Sequence, residues 1–121
     1  MSTTTLPTLS TQTRTDGSEI LTLDGDFELA HMPSVAHRLS DVLGQCDHDL
    51  VLDLRGVRFL DSKMLRILLM ALRHADWQGC RLVLIRPNEH VWRVFEVTGC
   101  DALFPSFHDL REAVATLAAP A

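Results

Sequence analysis

Apolar and polar positions change their period several times along the chain, and each change predicts an element. From Leu9 the string Leu-Ser-Thr-Gln-Thr-Arg-Thr, and then Glu19-Ile20-Leu21-Thr22-Leu23, form two β-prone runs around Asp16-Gly17. That dipeptide favours a hairpin, so the chain opens with an antiparallel pair. Asp24-Gly25-Asp26-Phe27-Glu28-Leu29 then leaves the second strand, with Gly25 permitting a bend. Pro33 stands where a first helical turn begins, and Val35, Ala36, Leu39, Val42 and Leu43 recur at helical spacing until Gly44. This predicts an amphipathic helix covering a sheet.

Val51-Leu52-Asp53-Leu54 reads as a buried strand, broken by Arg55-Gly56 as a turn and approaching a helix through Phe59-Leu60-Asp61-Ser62. The segment from Lys63 to Ala75 then puts Met64, Leu65, Ile67, Leu68, Ala71, Leu72 and Ala75 on one broad apolar face. Lys63, Arg66, Met70 and Arg73, spaced by three or four, share the opposite side, which starts beside Ser62. Gly79 ends the helix, and Arg81 to Arg86 forms another apolar strand closed by Pro87. A strand, a helix and a strand predict a right-handed crossover with parallel strands. Asn88 caps a further helix carrying Val91, Val94 and Phe95 inward, with Trp92 partly in the core and Gly99 as the stop. Leu103-Phe104 reads as a short edge strand, and Asp109 with Glu112 opens a last helix that turns Leu110, Ala113, Val114 and Leu117 inward. The whole is an α/β layer, a mixed sheet of four to five strands with helices packed against it.

Composition narrows what such a layer does. At 121 residues, 46% hydrophobic and 22% charged, the chain fits one ordinary globular domain that needs no metal or disulfide staple. Residues 1–8 are Thr-rich and are expected as a flexible tail, 9–118 as the domain, and 119–121 as a second tail. The longest apolar segment, Ile67 to Leu72, is far too short for a membrane span, and no basic leader precedes an apolar run, so a cytoplasmic protein is expected. A net charge of -5 argues against nucleic-acid binding, which needs a clustered basic face. Cys46, Cys80 and Cys100 lack a CxxC spacing, which argues against a disulfide framework and a zinc site and in favour of buried or half-buried free thiols.

Candidate chemistry is sparse. No GxGxxG, P-loop, HExxH or GxSxG pattern occurs, and the six histidines are scattered. No residue is assigned a catalytic role, no cofactor is expected, and the chain is not read as an enzyme. Asp24, Asp26 and Glu28 alternate as cation ligands do, but Gly25 interrupts them and the calcium-loop continuation is missing, so solvated carboxylates or a partner-facing acidic edge is the preferred reading. Ser62 is the remaining focus. A hydroxyl at a helix N-terminus sits where free N–H groups and the helix dipole accommodate a phosphate, and it also sits where a serine merely caps. Lys63 and Arg66 put two cations in a first turn whose dipole disfavours them, a local conflict that points toward function.

Several strings together resemble the STAS domain, the module shared by anti-sigma factor antagonists and sulfate-transporter tails. The resemblance runs from about Ile20 to Leu117 and rests on Gly25-Asp26-Phe27-Glu28-Leu29, Val51-Leu52-Asp53-Leu54, Phe59-Leu60-Asp61-Ser62, Thr98-Gly99 and Leu103-Phe104-Pro105. It implies a single STAS-like domain and, at Ser62, the serine that an anti-sigma factor with serine kinase activity phosphorylates in such antagonists. Unphosphorylated antagonist captures the anti-sigma factor, phosphorylation ends the capture, and a serine phosphatase restores it. The implied partner surface comprises Asp26, Glu28, Asp61, Ser62, Lys63, Arg66, Met70 and Arg73 on a monomer or weak dimer with no nucleic-acid or membrane partner. The family's usual Gly-Leu-Gly after a small residue is replaced by Met64-Leu65-Arg66 after Lys63, and Glu28 stands where Asp is usual. Two other readings stay open: a constitutive docking subunit of a signalling or transport assembly, and a small-ligand or nucleotide-binding protein.

Overall fold

Five strands line up in sequence order as one mixed sheet in the computed structural model, which describes residues 5–118. Strand β1 (Thr8–Thr13) pairs antiparallel with β2 (Glu19–Phe27) across the Asp16-Gly17 turn. Helix α1 (Pro33–Gly44) leads to β3 (Leu50–Leu60), and α2 (Ser62–Gln78) leads to β4 (Leu82–Ile85). Helix α3 (Glu89–Thr98), β5 (Ser106–Phe107) and α4 (Leu110–Ala118) complete the described chain. From β2 to β5 every pairing is parallel. The single-domain α/β expectation is met, with the sheet at five strands.

The parallel strands read as unbroken apolar runs because both of their faces are covered. Leu21, Leu23, Leu52, Leu54, Leu82 and Leu84 share one core with Ala36, Leu39 and Leu43 of α1, Met64, Leu68 and Ala71 of α2, and Val91 and Phe95 of α3. Ile20, Val51, Val83 and Ile85 point the other way, onto Ala113 and Leu117 of α4. Each fully buried leucine contributes about 1.5–3 kcal/mol relative to an exposed one, so the helix-covered faces dominate stability. Trp92 lies in this core, stacked on Phe95 at 4.8 Å, with the Arg86 guanidinium over its ring. The thiols are free, half-buried at Cys46 and Cys80 and buried at Cys100. No helix among the described residues is long and apolar enough to cross a membrane.

Four local expectations are corrected. Arg55-Gly56 is no turn, because β3 runs unbroken through it and absorbs the extra residue as a bulge opposite β2. A side chain at Gly56 would occupy the place of the Asp24 carboxylate, 1.5 Å from its Oδ1, so the glycine there makes room across the bulge. Likewise β2 does not end at Asp24 but continues to Phe27, with Gly25 at φ 106° and close against the Leu6 carbonyl. The edge strand lies after Pro105, at Ser106–Phe107, whereas Phe104 plugs the core and Leu103 is exposed. The flexible tail does not extend to Thr8: Thr5 exchanges backbone and side-chain hydrogen bonds with Asp26, and Thr8 already pairs in β1. Residues 1–4 and 119–121, the rest of the two expected tails, lie outside the described residues.

Candidate functional site

The carboxyl ends of β2 and β3 lie side by side, and the loops leaving them meet at Asp61. Its backbone N–H donates to the Phe27 carbonyl at 3.2 Å, joining the end of one strand to the end of the other. Its φ and ψ are extended, as at an N-cap, and Oδ1 accepts from the Met64 N–H at 2.9 Å. Oδ2 accepts from the Ala30 N–H at 2.9 Å, in the short 3-10 turn Leu29–His31 that follows β2. Asp61 therefore caps α2 and clamps the β2–α1 connection with the same carboxylate. This answers what Ser62 does for the helix: it is the first helical residue, and the capping belongs to its neighbour.

Ser62 is exposed, and it opens onto a groove between α1 and α2 of about 600 Å³. One wall carries Ser62, Lys63, Arg66, Ile67 and Met70, and the other carries Pro33, Ala36, His37 and Ser40. A smaller apolar hollow, lined by Leu43, Ile67, Met70 and Ala71, continues it along the same two helices. Lys63 and Arg66 are exposed, and Met70 exposes 62% of its surface. Met64 and Leu65 are buried, so of the four residues that follow Ser62 only Lys63 and Arg66 shape what an approaching molecule meets. The wall thus combines a hydroxyl and two cations at the positive end of a helix with a flexible thioether about two turns on, an arrangement suited to an anionic and partly apolar surface.

Ser62, Lys63, Arg66 and Met70 are brought together with Asp61 behind them, but the other predicted residues are spread around this centre. Arg73 is exposed further along α2, outside the groove's lining. Half-buried Asp26 holds the Thr5 N–H through Oδ2 at 2.7 Å, on the side of β2 that meets the N-terminal segment. Glu28 leads into the 3-10 turn, on the same end of the sheet as Ser62 but not in the groove. Two features escaped the periodicity argument. His37 and Ser40 of α1 form the facing wall, which no local pattern connects to α2. Trp77, 88% exposed, extends the Lys63, Arg66, Met70, Arg73 series by one more step of four. That spacing was open to inspection in the sequence.

Away from the groove, one buried acid is held ionised by its neighbour. Asp53 lies in the middle of β3, and burial alone would push its carboxyl upward. Arg55 outweighs this: its Nε and Nη2 donate to the two carboxylate oxygens at 3.0 and 2.7 Å, its backbone N–H donates at 3.1 Å, and its charge adds to these. The net effect holds Asp53 below its ordinary value.

Comparison with known proteins agrees with this architecture. A family model described as "Mlab, STAS domain" matches residues 10–112. BtrV of Bordetella bronchiseptica, which is named as an anti-sigma factor antagonist, is 30% identical over 105 residues, covering 87% of this chain and 90% of that protein. The crystal structure of an anti-sigma factor antagonist from Mycobacterium paratuberculosis superposes with a TM-score of 0.71 at 24% identity, over 93% of this chain and 94% of the other. The phosphorylated form of SpoIIAA, a Bacillus cell fate determinant, gives a TM-score of 0.64 at 16% identity, over 90% of this chain and 98% of the other.

Proposed function

The chain belongs to the STAS-domain family of anti-sigma factor antagonists, and from that premise we propose that it captures an anti-sigma factor with serine kinase activity and releases it on phosphorylation at Ser62. The observation that carries this reading is the exposed Ser62 hydroxyl at the first position of α2, freed from capping by Asp61 and opening on the α1–α2 groove. A phosphate there adds close to two negative charges at a helix N-terminus that tolerates them, so the fold survives and the partner surface changes. A serine phosphatase then resets the module. Binding is the whole of its action: Ser62 is a substrate of the partner, and no residue of this chain is assigned catalysis.

Lys63 and Arg66 shape the strength of the switch. Arg66, one turn on from Ser62, is placed to screen a phosphate, so the loss of affinity on phosphorylation is smaller than for a chain with small residues there. The test compares affinity of wild type, Ser62→Ala and Ser62→Asp for the cognate anti-sigma factor by calorimetry. Wild type and Ser62→Ala bind alike and Ser62→Asp binds more weakly; equal affinity of all three rejects control through this position.

A second reading is favoured by the same two cations if, flanking the hydroxyl, they block the approach of a kinase active site. In that case the module docks constitutively in a signalling or transport assembly. Intact-mass measurement after incubation with the cognate kinase and ATP separates the two, since a mass unchanged by phosphate supports docking alone.

A further inference from the structure

At the opposite end of the sheet, the start of β2 and the loop entering β3 bring together three side chains of different chemistry. The Glu19 carboxylate, the Cys46 thiol and the His48 imidazole lie with their ligand atoms all within 4.8 Å of one another, and all three are half-buried. Glu19 is the first residue of β2, and its N–H donates to the Asp49 carbonyl at 3.0 Å, which fixes strand to loop. The loop is tied down further, for the Cys46 carbonyl contacts His74 Nε2 of α2 at 3.2 Å and the Cys46 thiol donates to the His48 carbonyl at 3.5 Å.

The two nitrogens of His48 are treated differently. Nδ1 meets Asp47 Oδ1 at 3.0 Å, the contact by which a carboxylate orients a metal-ligating imidazole. Nε2 is sealed from solvent and lies 3.2 Å from Glu19 Oε1, an ion pair when the ring is protonated. When the ring is neutral with its proton on Nδ1 toward Asp47, Nε2 and the Glu19 carboxylate turn lone pairs toward one another with the Cys46 sulfur within 4.8 Å, an arrangement that a shared cation satisfies.

We propose that Glu19, Cys46 and His48 form a site for a zinc-class transition metal ion, with Asp47 orienting His48. Nitrogen, thiolate sulfur and carboxylate oxygen together are a zinc donor set, and three protein ligands leave one tetrahedral position for water. Coordination at about 2.0–2.3 Å draws the three ligand atoms somewhat closer than they stand here, through rotation of the Cys46 and Glu19 side chains. Binding replaces the thiol proton, which passes to solvent, with a metal–sulfur bond. Hard cations such as calcium and magnesium are disfavoured by the sulfur. The expected spacing argument against zinc does not reach this site, because its ligands converge from a strand start and a separate loop. The ion would staple β2 to the loop before β3, far from Ser62, so the proposal stands or falls independently of the phosphoswitch.

Chelator-stripped, reduced protein titrated with Zn²⁺ by calorimetry should bind one ion per chain, and Co²⁺ should produce a thiolate-to-metal charge-transfer band. Cys46→Ser should abolish that band, and His48→Gln and Glu19→Gln should each weaken binding. Asp47→Asn should weaken it about 10–100-fold, the usual effect of losing an orienting partner. Cys100→Ser, altering a thiol buried elsewhere in the core, should bind like wild type. Circular dichroism of each variant confirms its fold. Wild-type protein that binds no zinc, or a cobalt complex without sulfur charge transfer, overturns the proposal.

Discussion

At the scale of single residues, Asp61 and Ser62 divide two tasks that sequence alone leaves on one hydroxyl. Asp61 satisfies one amide at the start of α2 and a second in the turn after β2, so both oxygens are committed within the fold. Replacing it with alanine orphans both, at a cost of about 1–2 kcal/mol for the cap, and urea unfolding should report at least that loss. Ser62→Ala, by contrast, should leave stability within about 0.5 kcal/mol of wild type, as expected for an exposed position outside any cap. The pair Asp53 and Arg55 makes a pH prediction of definite sign. Because the carboxyl is held below its unfolded value, its contribution is fully present above about pH 3.9 and is lost as pH falls through the lower, folded value. Stability measured across that acid range should fall for wild type and fall less for Asp53→Asn. Arg55→Ala leaves the buried carboxylate short of its donors and should cost about 1–3 kcal/mol at neutral pH.

At the scale of elements, two glycines explain how β2 and β3 stay paired past their bulges. Gly25 has φ 106°, and a side chain on it would approach the Leu6 carbonyl oxygen to 2.4 Å. Neither strain is easily relieved, because the obstacle is backbone. Gly56 has ordinary φ, and its obstacle is the side chain of exposed Asp24, which can swing into solvent. Gly25→Ala should therefore destabilise by about 1–3 kcal/mol and speed hydrogen exchange at the Asp26 N–H, which donates to the Thr5 carbonyl at 2.9 Å. Gly56→Ala should cost clearly less; equal losses from the two would contradict this account of the bulge.

At the scale of the whole molecule, a chain of net charge -5 presents a cationic and apolar strip along one helix. Lys63, Arg66, Met70, Arg73 and Trp77 are all exposed, and the first of them flank the groove. Charges of one sign gathered on a surface of the other steer association more than they set final affinity. The double variant Lys63→Glu/Arg66→Glu should slow association with the cognate anti-sigma factor on the order of tenfold or more at low ionic strength. The difference should shrink as salt is raised past the screening range. An association rate unmoved by the double charge reversal would place the docking surface elsewhere.

What the sequence by itself determined were the properties that repeat along the chain. Helical spacing marked the inward faces of α1 to α4, apolar runs marked β3 and β4, and Gly79 and Gly99 marked helix ends through the left-handed conformation they adopt. The Asp-Ser string marked the centre of the candidate site for the same reason, since a cap and its helix are local. Only the tertiary structure decided matters that depend on what lies opposite. Whether Arg55-Gly56 turns or bulges is settled by β2 pairing alongside it, because a strand persists where its backbone groups find partners. Which of Asp61 and Ser62 serves as cap is tied to the Ala30 amide, distant in sequence, and the facing wall of His37 and Ser40 is set by how α1 lies against α2. The meeting of Glu19 with Cys46 and His48 belongs to the same class: convergence across elements leaves no period in the chain, and only the folded geometry brings it about.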